Sequence, residues 1–394
     1  MIQSSINKIV ISRGKEPYEN TLEVLSHFDF SFLKGKKVLL KPNAGRIASY
    51  EKGITTHPEV IAGAIDFFRK FGVIAAVGES PISGVNTMEA FDITGIAKIA
   101  KERNCPLFDM DADKPIIKEI PNAKVLKSIK LCKKVSEFDF IVSIPVIKTH
   151  MHTGVTLSIK NMKGCLWARS KVLLHMFPEI AGFEDKPIDV AIADMSTILK
   201  PDFALIDGTI CMEGMGPSAG TAKPMNMVIA GFNPFKTDAV ACHIMGIDPE
   251  KVPHLKLGAQ FNRTTLGLEG TEIIPSDWEK YIIQFALPPK DLVLEYPNIT
   301  VFDKNSCSAC QSSLYLFLKQ YGTSILEYCQ DGKLNIAIGK GHKTLPDNTL
   351  CIGNCTSSHK SKCPYIQGCP PVSSEILSLI TGSRKFDIKD GTPE

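Results

Sequence analysis

The residues of this chain best suited to chemistry fall into two groups. The first is Lys148-Thr149-His150-Met151-His152, followed soon after by Lys160-Asn161-Met162-Lys163-Gly164-Cys165. Lysine and histidine beside a strand end suit an anionic group such as a carboxylate or phosphate. A histidine there can also move protons, because its unperturbed pKa lies near neutrality. Lys148 and His150 are therefore candidate catalytic residues, and Lys160 and Asn161 candidate substrate-binding ones. The spacing of His150 and His152 is weak evidence for a metal pair without further ligands. The bland alternative is a solvated basic loop. Cys165 is either reactive or a small core residue.

The second group is cysteine. Seven of the chain's twelve cysteines lie between Cys307 and Cys369. They include the pair Cys307 and Cys310, the pair Cys351 and Cys355, and the run Gly368-Cys369-Pro370-Pro371. Cys307 and Cys310 open a helical pattern, where free N–H groups and the positive helix end favour thiolate. Gly353-Asn354-Cys355 closes a predicted strand. Pro370 forbids helix at Cys369, which should sit in an extended loop. Cys307, Cys310, Cys355 and Cys369 thus stand at element ends and suit a [4Fe–4S] cluster, a [2Fe–2S] cluster or tetrahedral zinc. Cys351 falls inside its strand and ranks lower. Cys329 and Cys363 read as spare thiols. The competing account is reduced structural cysteines with no metal.

The elements that must position these groups follow a recurrent pattern of apolar run, polar motif and helix. Lys37-Val38-Leu39-Leu40 leads to Lys41-Pro42-Asn43, and Val73 to Val77 leads to Gly78-Glu79-Ser80-Pro81. Phe140 to Ile144 precedes the basic stretch, Phe203 to Ile206 precedes Asp207-Gly208, and Met227 to Ala230 precedes Gly231 to Asp238. Short apolar runs without alternation fit strands buried on both faces of a parallel sheet. Ligands of open α/β sheets bind beyond the carboxyl ends of the strands, where all five motifs are expected. Thr56-His57-Pro58-Glu59 reads as a capping box opening a helix through Phe68. The fold class is accordingly α/β, a mostly parallel sheet flanked by helices, with a small cysteine-rich α/β C-terminal domain. The double proline in Phe285 to Asp291 separates an α/β domain, 1–285, from a cysteine-rich domain, 292–394.

These placements add Glu79 and Asp207 as candidate proton carriers and Lys41 and Asn43 as substrate-binding residues. Asp238 is a further acidic candidate. Glu213-Gly214-Met215-Gly216-Pro217 is a glycine-rich loop whose backbone can approach an anion closely. Neither phosphate-binding nor dinucleotide-binding glycine fingerprints occur. His175 reads as a surface residue or part of a mobile loop.

Composition narrows the function classes. The formal net charge of +3 gives no support to nucleic-acid binding. No stretch approaches the ~20 apolar residues that span a bilayer. The first residues lack the pattern of a secretory signal, so a cytoplasmic, reducing location is expected, where clustered cysteines favour metal or redox chemistry.

Taken in order, Lys41-Pro42-Asn43, Thr56-His57-Pro58-Glu59, Gly78-Glu79-Ser80-Pro81, Lys148-Thr149-His150, Lys160-Asn161-Met162-Lys163-Gly164-Cys165, Asp207-Gly208, Glu213-Gly214-Met215-Gly216-Pro217 and Lys236-Thr237-Asp238-Ala239 resemble the domain of unknown function 362 family. The resemblance covers roughly residues 5–260. It implies iron–sulfur rather than zinc for the cysteine-rich tail. Where that family has Gly-Asp-Ser-Pro, this chain places Glu79, a carboxylate on a longer arm. The expected function is an iron–sulfur oxidoreductase acting on a small anionic substrate, with a ferredoxin-type protein as a possible electron partner. The alternatives are an electron-transfer or partner-binding iron–sulfur protein, and a non-redox enzyme with structural zinc.

Overall fold

The computed structural model describes residues 7–82, 85–168, 170–178, 180, 184–288, 296–306 and 308–382. The chain divides into two units, the first comprising 1–171 and 189–287 and the second 172–188 and 288–394.

The first unit is built on a ten-stranded sheet. Its parallel half comprises β2 (Lys37–Pro42), β3 (Ile74–Glu79), β4 (Leu107–Asp109), β7 (Phe140–Ile144) and β10 (Phe203–Glu213), in the order β10-β7-β2-β3-β4. The interior strands are buried along nearly their whole length, as the unalternating apolar runs require. The other half, β11 (Thr221–Gly231), β1 (Lys8–Arg13) and β12 (Glu272–Ile274), continues from β10. β11 runs antiparallel to both β10 and β1. Its last residue, Gly231, therefore lies opposite Ala204 near the start of β10. This corrects the expectation for the fifth motif. Gly231 to Asp238 leaves the sheet at the edge opposite the other four, because an apolar run carries no mark of strand direction.

A second difference concerns the basic stretch. After Pro145 the chain resumes as β8 (Val146–His150), buried at every position, pairing parallel with β10 and antiparallel with β9 (Gly154–Thr156). Lys148 and His150 are thus strand residues. Asp207 and Glu213 likewise lie inside β10, which runs past its apolar opening as far as Glu213. A separate hairpin pairs β5 (Ile116–Glu119) with β6 (Ser128–Leu131).

One helix against the sheet is Pro58–Arg69, with Pro58 at its first position. Its N-cap is His57, whose Nδ1 accepts the Glu59 backbone N–H, in place of Thr56. Thr56 Oγ1 instead donates to the Ile144 carbonyl and accepts the Asn43 N–H, tying the ends of β2 and β7 together. The helix packs its buried face into a core that includes Phe30, Phe68, Val38, Leu40 and Phe203.

The second unit holds a small all-parallel sheet, β13 (Ile299–Asp303), β14 (Leu334–Ile338), β15 (Leu350–Ile352) and β16 (Tyr365–Ile366). Helices Ser308–Tyr321 and Ser373–Thr381 contribute Leu314, Phe317, Ile376 and Leu377 to its core. The fold is α/β throughout, with a small C-terminal sheet domain.

Candidate functional site

The carboxyl ends of β2 and β3 are joined by one ion pair. Lys41 Nζ lies 2.9 Å from both Glu79 carboxylate oxygens, and the two side chains are 1% and 2% exposed. Lys41 also donates to the Pro42 carbonyl at 2.8 Å and approaches Asn161 Oδ1 at 3.3 Å. Glu79 accepts the backbone N–H groups of Ser80 and Ala44 at 2.9 and 3.0 Å. Asn161 Nδ2 returns to the Lys41 and Pro42 carbonyls and to Ser143 Oγ. The sequence thus brings Lys41, Glu79 and Asn161 into one network, in which each charged group is engaged by its neighbours. Gly164 closes over it: a Cβ there would stand 2.3 Å from Glu79 Oε1 and 2.5 Å from Lys41 Nζ.

Around this pair stands a group of cations. Lys148 is 3% exposed and donates to the Ile54 carbonyl at 2.6 Å. Burial first, then the charge of Arg46, lowers its pKa to about 7, against an upward pull from Glu79. Lys160 is half-buried, and burial together with the charges of Lys163, Lys148 and Arg46 lowers its pKa well below the lysine range. Lys163 is lowered to about 8 by burial and by Lys171. Arg46 is also pushed down by burial. No hydrogen bond or ion pair to Arg46 or Lys160 is found among the described residues. Clustered cations lower one another's pKa values, and perturbed values of this kind concentrate at functional sites. Arg46 was missed in the sequence because it sits in a loop three residues past Asn43, outside any motif.

The remaining candidates separate. His150 is 6% exposed, its Nδ1 accepts the His152 backbone N–H at 3.1 Å, and the two imidazole rings are 5.3 Å apart. Asp207 is buried and accepts the N–H groups of His57 at 2.8 Å and Thr209 at 2.9 Å. Burial raises its pKa despite those bonds. It anchors the start of the Pro58–Arg69 helix. Asn43 is half-buried, and its Oδ1 has no hydrogen-bond partner among the described residues. Glu213 pairs with Lys223 at 2.8 Å and accepts the Ala286 N–H, and the Lys223 contact lowers its pKa. The glycine loop turns its backbone inward. Gly214 N–H goes to Ala286 O, and the Gly214 carbonyl accepts from Thr149 Oγ1. A Cβ on Gly216 would meet the Thr149 carbonyl at 1.9 Å. Asp238 lies in the helix Pro234–Ile244 and binds Ser158 and the Ile159 N–H, fixing the start of the short helix that carries Lys160. Cys165 is buried, and burial pushes its thiol up to about 12, which keeps it protonated.

In the second unit, two glycine turns are stitched together beside Cys310. The Asn354 N–H donates to Gly368 O at 2.8 Å, and Asn354 Oδ1 accepts the Gly368 N–H at 3.0 Å. Gly353 has φ +90°, and a Cβ there would lie 3.4 Å from Cys310 Sγ and 3.4 Å from Gly368 O. Cys310, the turn holding Cys355 and the turn holding Cys369 therefore meet at one place. Asn354 Nδ2 also bonds Phe177 O, and the Cys369 N–H bonds His175 O, so the 172–188 segment braces these turns. Cys351 is fully buried in β15, and burial and Cys363 push its thiol up to about 12. Cys329 Sγ donates to Ile325 O within the same unit. Cys307 lies outside the described residues. Among the described residues, no group of three or more His, Cys, Asp or Glu side chains is arranged to hold a metal ion.

The model for "Domain of unknown function (DUF362)" matches residues 38–243, about half of the chain. The chain belongs to that family. A relative is the thylakoid-associated protein sll1697 of Synechocystis sp. (strain ATCC 27184 / PCC 6803 / Kazusa), 24% identical over 259 residues, which covers 66% of this chain and 78% of the relative. Among solved structures, the lactate racemase apoprotein from Thermoanaerobacterium thermosaccharolyticum aligns over 85% of this chain and 70% of its own, with 14% identity and a TM-score of 0.39. The family match spans Lys41, Arg46, Glu79, Lys148 and Lys160 and ends at residue 243, before the cysteines of the second unit. No helix among the described residues is long and apolar enough to cross a membrane.

Proposed function

We propose that this protein is an enzyme that binds a small carboxylate- or phosphate-bearing substrate at Arg46, Lys148 and Lys160. The observation that carries the reading is the set of buried and half-buried cations that repel one another, two of which have no bonded counter-charge among the described residues. A charged hydrogen bond contributes about 1.5–3 kcal/mol, roughly ten- to a hundredfold in affinity per contact. The Lys41–Glu79–Asn161 network ties the ends of β2 and β3 to the short helix that carries Lys160, and Arg46 follows β2 in the loop. His150, in the same strand as Lys148, is the candidate general acid.

We further propose that the cysteine-rich unit carries a [4Fe–4S] cluster on Cys307, Cys310, Cys355 and Cys369, which makes the enzyme an oxidoreductase served by a ferredoxin-type partner. Three of the four residues support the reading: Cys310 lies against the turn that carries Cys355, and that turn is bonded to the one that carries Cys369. Such a cluster supplies single electrons or a Lewis-acidic iron. The test is anaerobic purification with iron, sulfide and zinc analysis. About four iron and four sulfide per chain are expected, and stoichiometric zinc without iron would reject the cluster. The substrate half is tested separately, by calorimetric titration with inorganic phosphate and small carboxylates.

A further inference from the structure

Ser80, Asp111 and Lys171 meet at the carboxyl ends of β3 and β4, and the anion site proposed above uses none of them. Ser80 follows Glu79, the last residue of β3, and Asp111 lies two residues past the end of β4. Lys171 reaches them from the short helix Ser170–Leu173, and all three belong to the first unit. Ser80 Oγ donates to Asp111 Oδ1 at 2.6 Å, and Lys171 Nζ donates to Ser80 Oγ. The single hydroxyl proton has a second acceptor, the Leu166 carbonyl at 3.0 Å. Lys171 Nζ also stands 3.6 Å from Asp111 Oδ2. The Ala168 N–H at 2.8 Å and the Cys132 thiol at 3.5 Å donate to Asp111 Oδ1, and Trp167 Nε1 donates to the Asp111 carbonyl at 3.2 Å.

A lysine in contact with a serine hydroxyl, with a third group orienting both, is the arrangement of an activated nucleophile and its base. Its place beyond the strand ends is where open α/β sheets bind ligands. Ser80 is 2% exposed, but the Asp111 side chain is 23% exposed and Trp167 and Ala168 are half-buried, so solvent reaches the group from the Asp111 side. Burial lowers the pKa of Lys171. Asp111, Cys132 and Glu79 pull it up, Lys41 adds to the fall, and Lys163 faces it as a further like charge. A lysine shifted downward is more often neutral, and a neutral amine can accept the hydroxyl proton across the same contact. The Cys132 thiol is pushed up by burial and stays protonated, which leaves Ser80 as the nucleophile.

We propose that Ser80 is a nucleophile, Lys171 its general base and Asp111 the residue that orients both, in a second catalytic site that transfers the acyl group of an ester or thioester to water. This goes beyond the anion-site reading and does not rest on it. Ser80 Oγ bonds to the acyl carbon, and the bond from that carbon to the leaving oxygen or sulfur breaks. The hydroxyl proton passes to Lys171 Nζ and on to the leaving group. Water then attacks the serine ester, Lys171 takes the water's proton and returns it to Ser80 Oγ, and the free acid departs. No oxidant or reductant is needed. A neutral base leaves Ser80 without a bonded cation among the described residues to clamp a phosphoryl group, which favours the acyl carbon.

The experiment treats the full-length protein with an alkyl fluorophosphonate, which phosphonylates an activated serine with loss of fluoride, and locates the adduct by intact mass and peptide mapping. One adduct on Ser80 is expected, absent from Ser80→Ala. Its rate should rise with pH and level off below the ordinary lysine value of 10.5. Lys171→Arg keeps a charged donor beside Ser80 but cannot take up a proton. It should label roughly a hundredfold more slowly while melting at the temperature of the unmutated protein. Lys171→Met is the second base-removing variant, should Lys171→Arg not fold. The unmutated protein should also turn over 4-nitrophenyl acetate, and Ser80→Ala should not. Absence of a Ser80 adduct in the folded unmutated protein overturns the proposal. So does labelling of a lysine variant at the unmutated rate, which is what a purely structural tie between the strand ends predicts. Labelling without any turnover of the acetate overturns the acyl-transfer assignment.

Discussion

Lys41 Nζ stands 2.9 Å from each carboxylate oxygen of Glu79, and both side chains are sealed from solvent. The pair joins the ends of two neighbouring parallel strands and is roofed by Gly164. Its energetics follow from that enclosure. Two buried charges stabilise little against well-packed apolar groups, but removing one of them strands the other.

Lys41→Met alone should therefore cost about 3–5 kcal/mol of stability, whereas Lys41→Met combined with Glu79→Leu should recover much of the loss. Urea denaturation of the single and double variants measures the difference. Equal destabilisation of the two would show that the ion pair is not the source of the cost.

Gly164→Ala probes the same place from above. The added methyl would meet Glu79 Oε1 and Lys41 Nζ well inside contact distance. Overpacking of this kind costs about 1–3 kcal/mol, and here it also forces the ion pair apart. Gly214→Ala is a weaker control for space: nothing lies within 4 Å of a Cβ there, although its φ of +77° adds backbone strain. A Gly164→Ala variant as stable as the parent would contradict the close packing.

Lys148 gives the pH dependence. Its pKa is lowered to about 7, chiefly by burial, so it is cationic below that pH and neutral above it. Anion affinity should be highest below pH 7 and fall as the pH rises through about 7. Lys148→Met should weaken binding and flatten that fall. The folding sign is opposite. Between about 7 and the ordinary lysine value of 10.5 the unfolded chain binds the extra proton, so this residue's contribution to stability rises with pH. Phosphate titrations and thermal melts across the range check the two signs independently.

For the cysteine-rich unit, Cys310→Ser and Cys355→Ser should abolish iron binding, and Cys351→Ser and Cys242→Ser should leave it intact. Cys351 and Cys242 are fully buried, Cys351 within β15 and Cys242 in the helix Pro234–Ile244 of the first unit. Iron analysis after anaerobic purification reads the outcome. Retention of iron in the first two variants would remove the proposed ligand set.

Much of the scaffold was legible because burial leaves a plain mark. Strands β2, β3 and β7 announce themselves as unbroken apolar runs. β8 was hidden, since a buried strand reading Val-Ile-Lys-Thr-His carries polar side chains where a core strand is expected to be apolar. The antiparallel direction of β11 was invisible for a different reason: pairing direction is set by tertiary contacts and not by composition. In the site, Lys148 and Lys160 could be picked out because each belongs to a dense polar motif. Arg46 could not, since it stands alone in a loop. Ser80, Asp111 and Lys171 are brought together only by the fold, which sets the ends of β3 and β4 beside the helix Ser170–Leu173.

The central claim is that Arg46, Lys148 and Lys160 receive an anion. The most direct measurement is isothermal titration of the unmutated protein and of Arg46→Ala with Lys160→Ala, using inorganic phosphate and a small carboxylate below pH 7. The account expects saturable binding of at least one of them by the unmutated protein, and a loss of roughly a hundredfold or more in the double variant. Equal binding by the two proteins, or no preference of the unmutated protein for the charged ligand over its neutral amide, would contradict it.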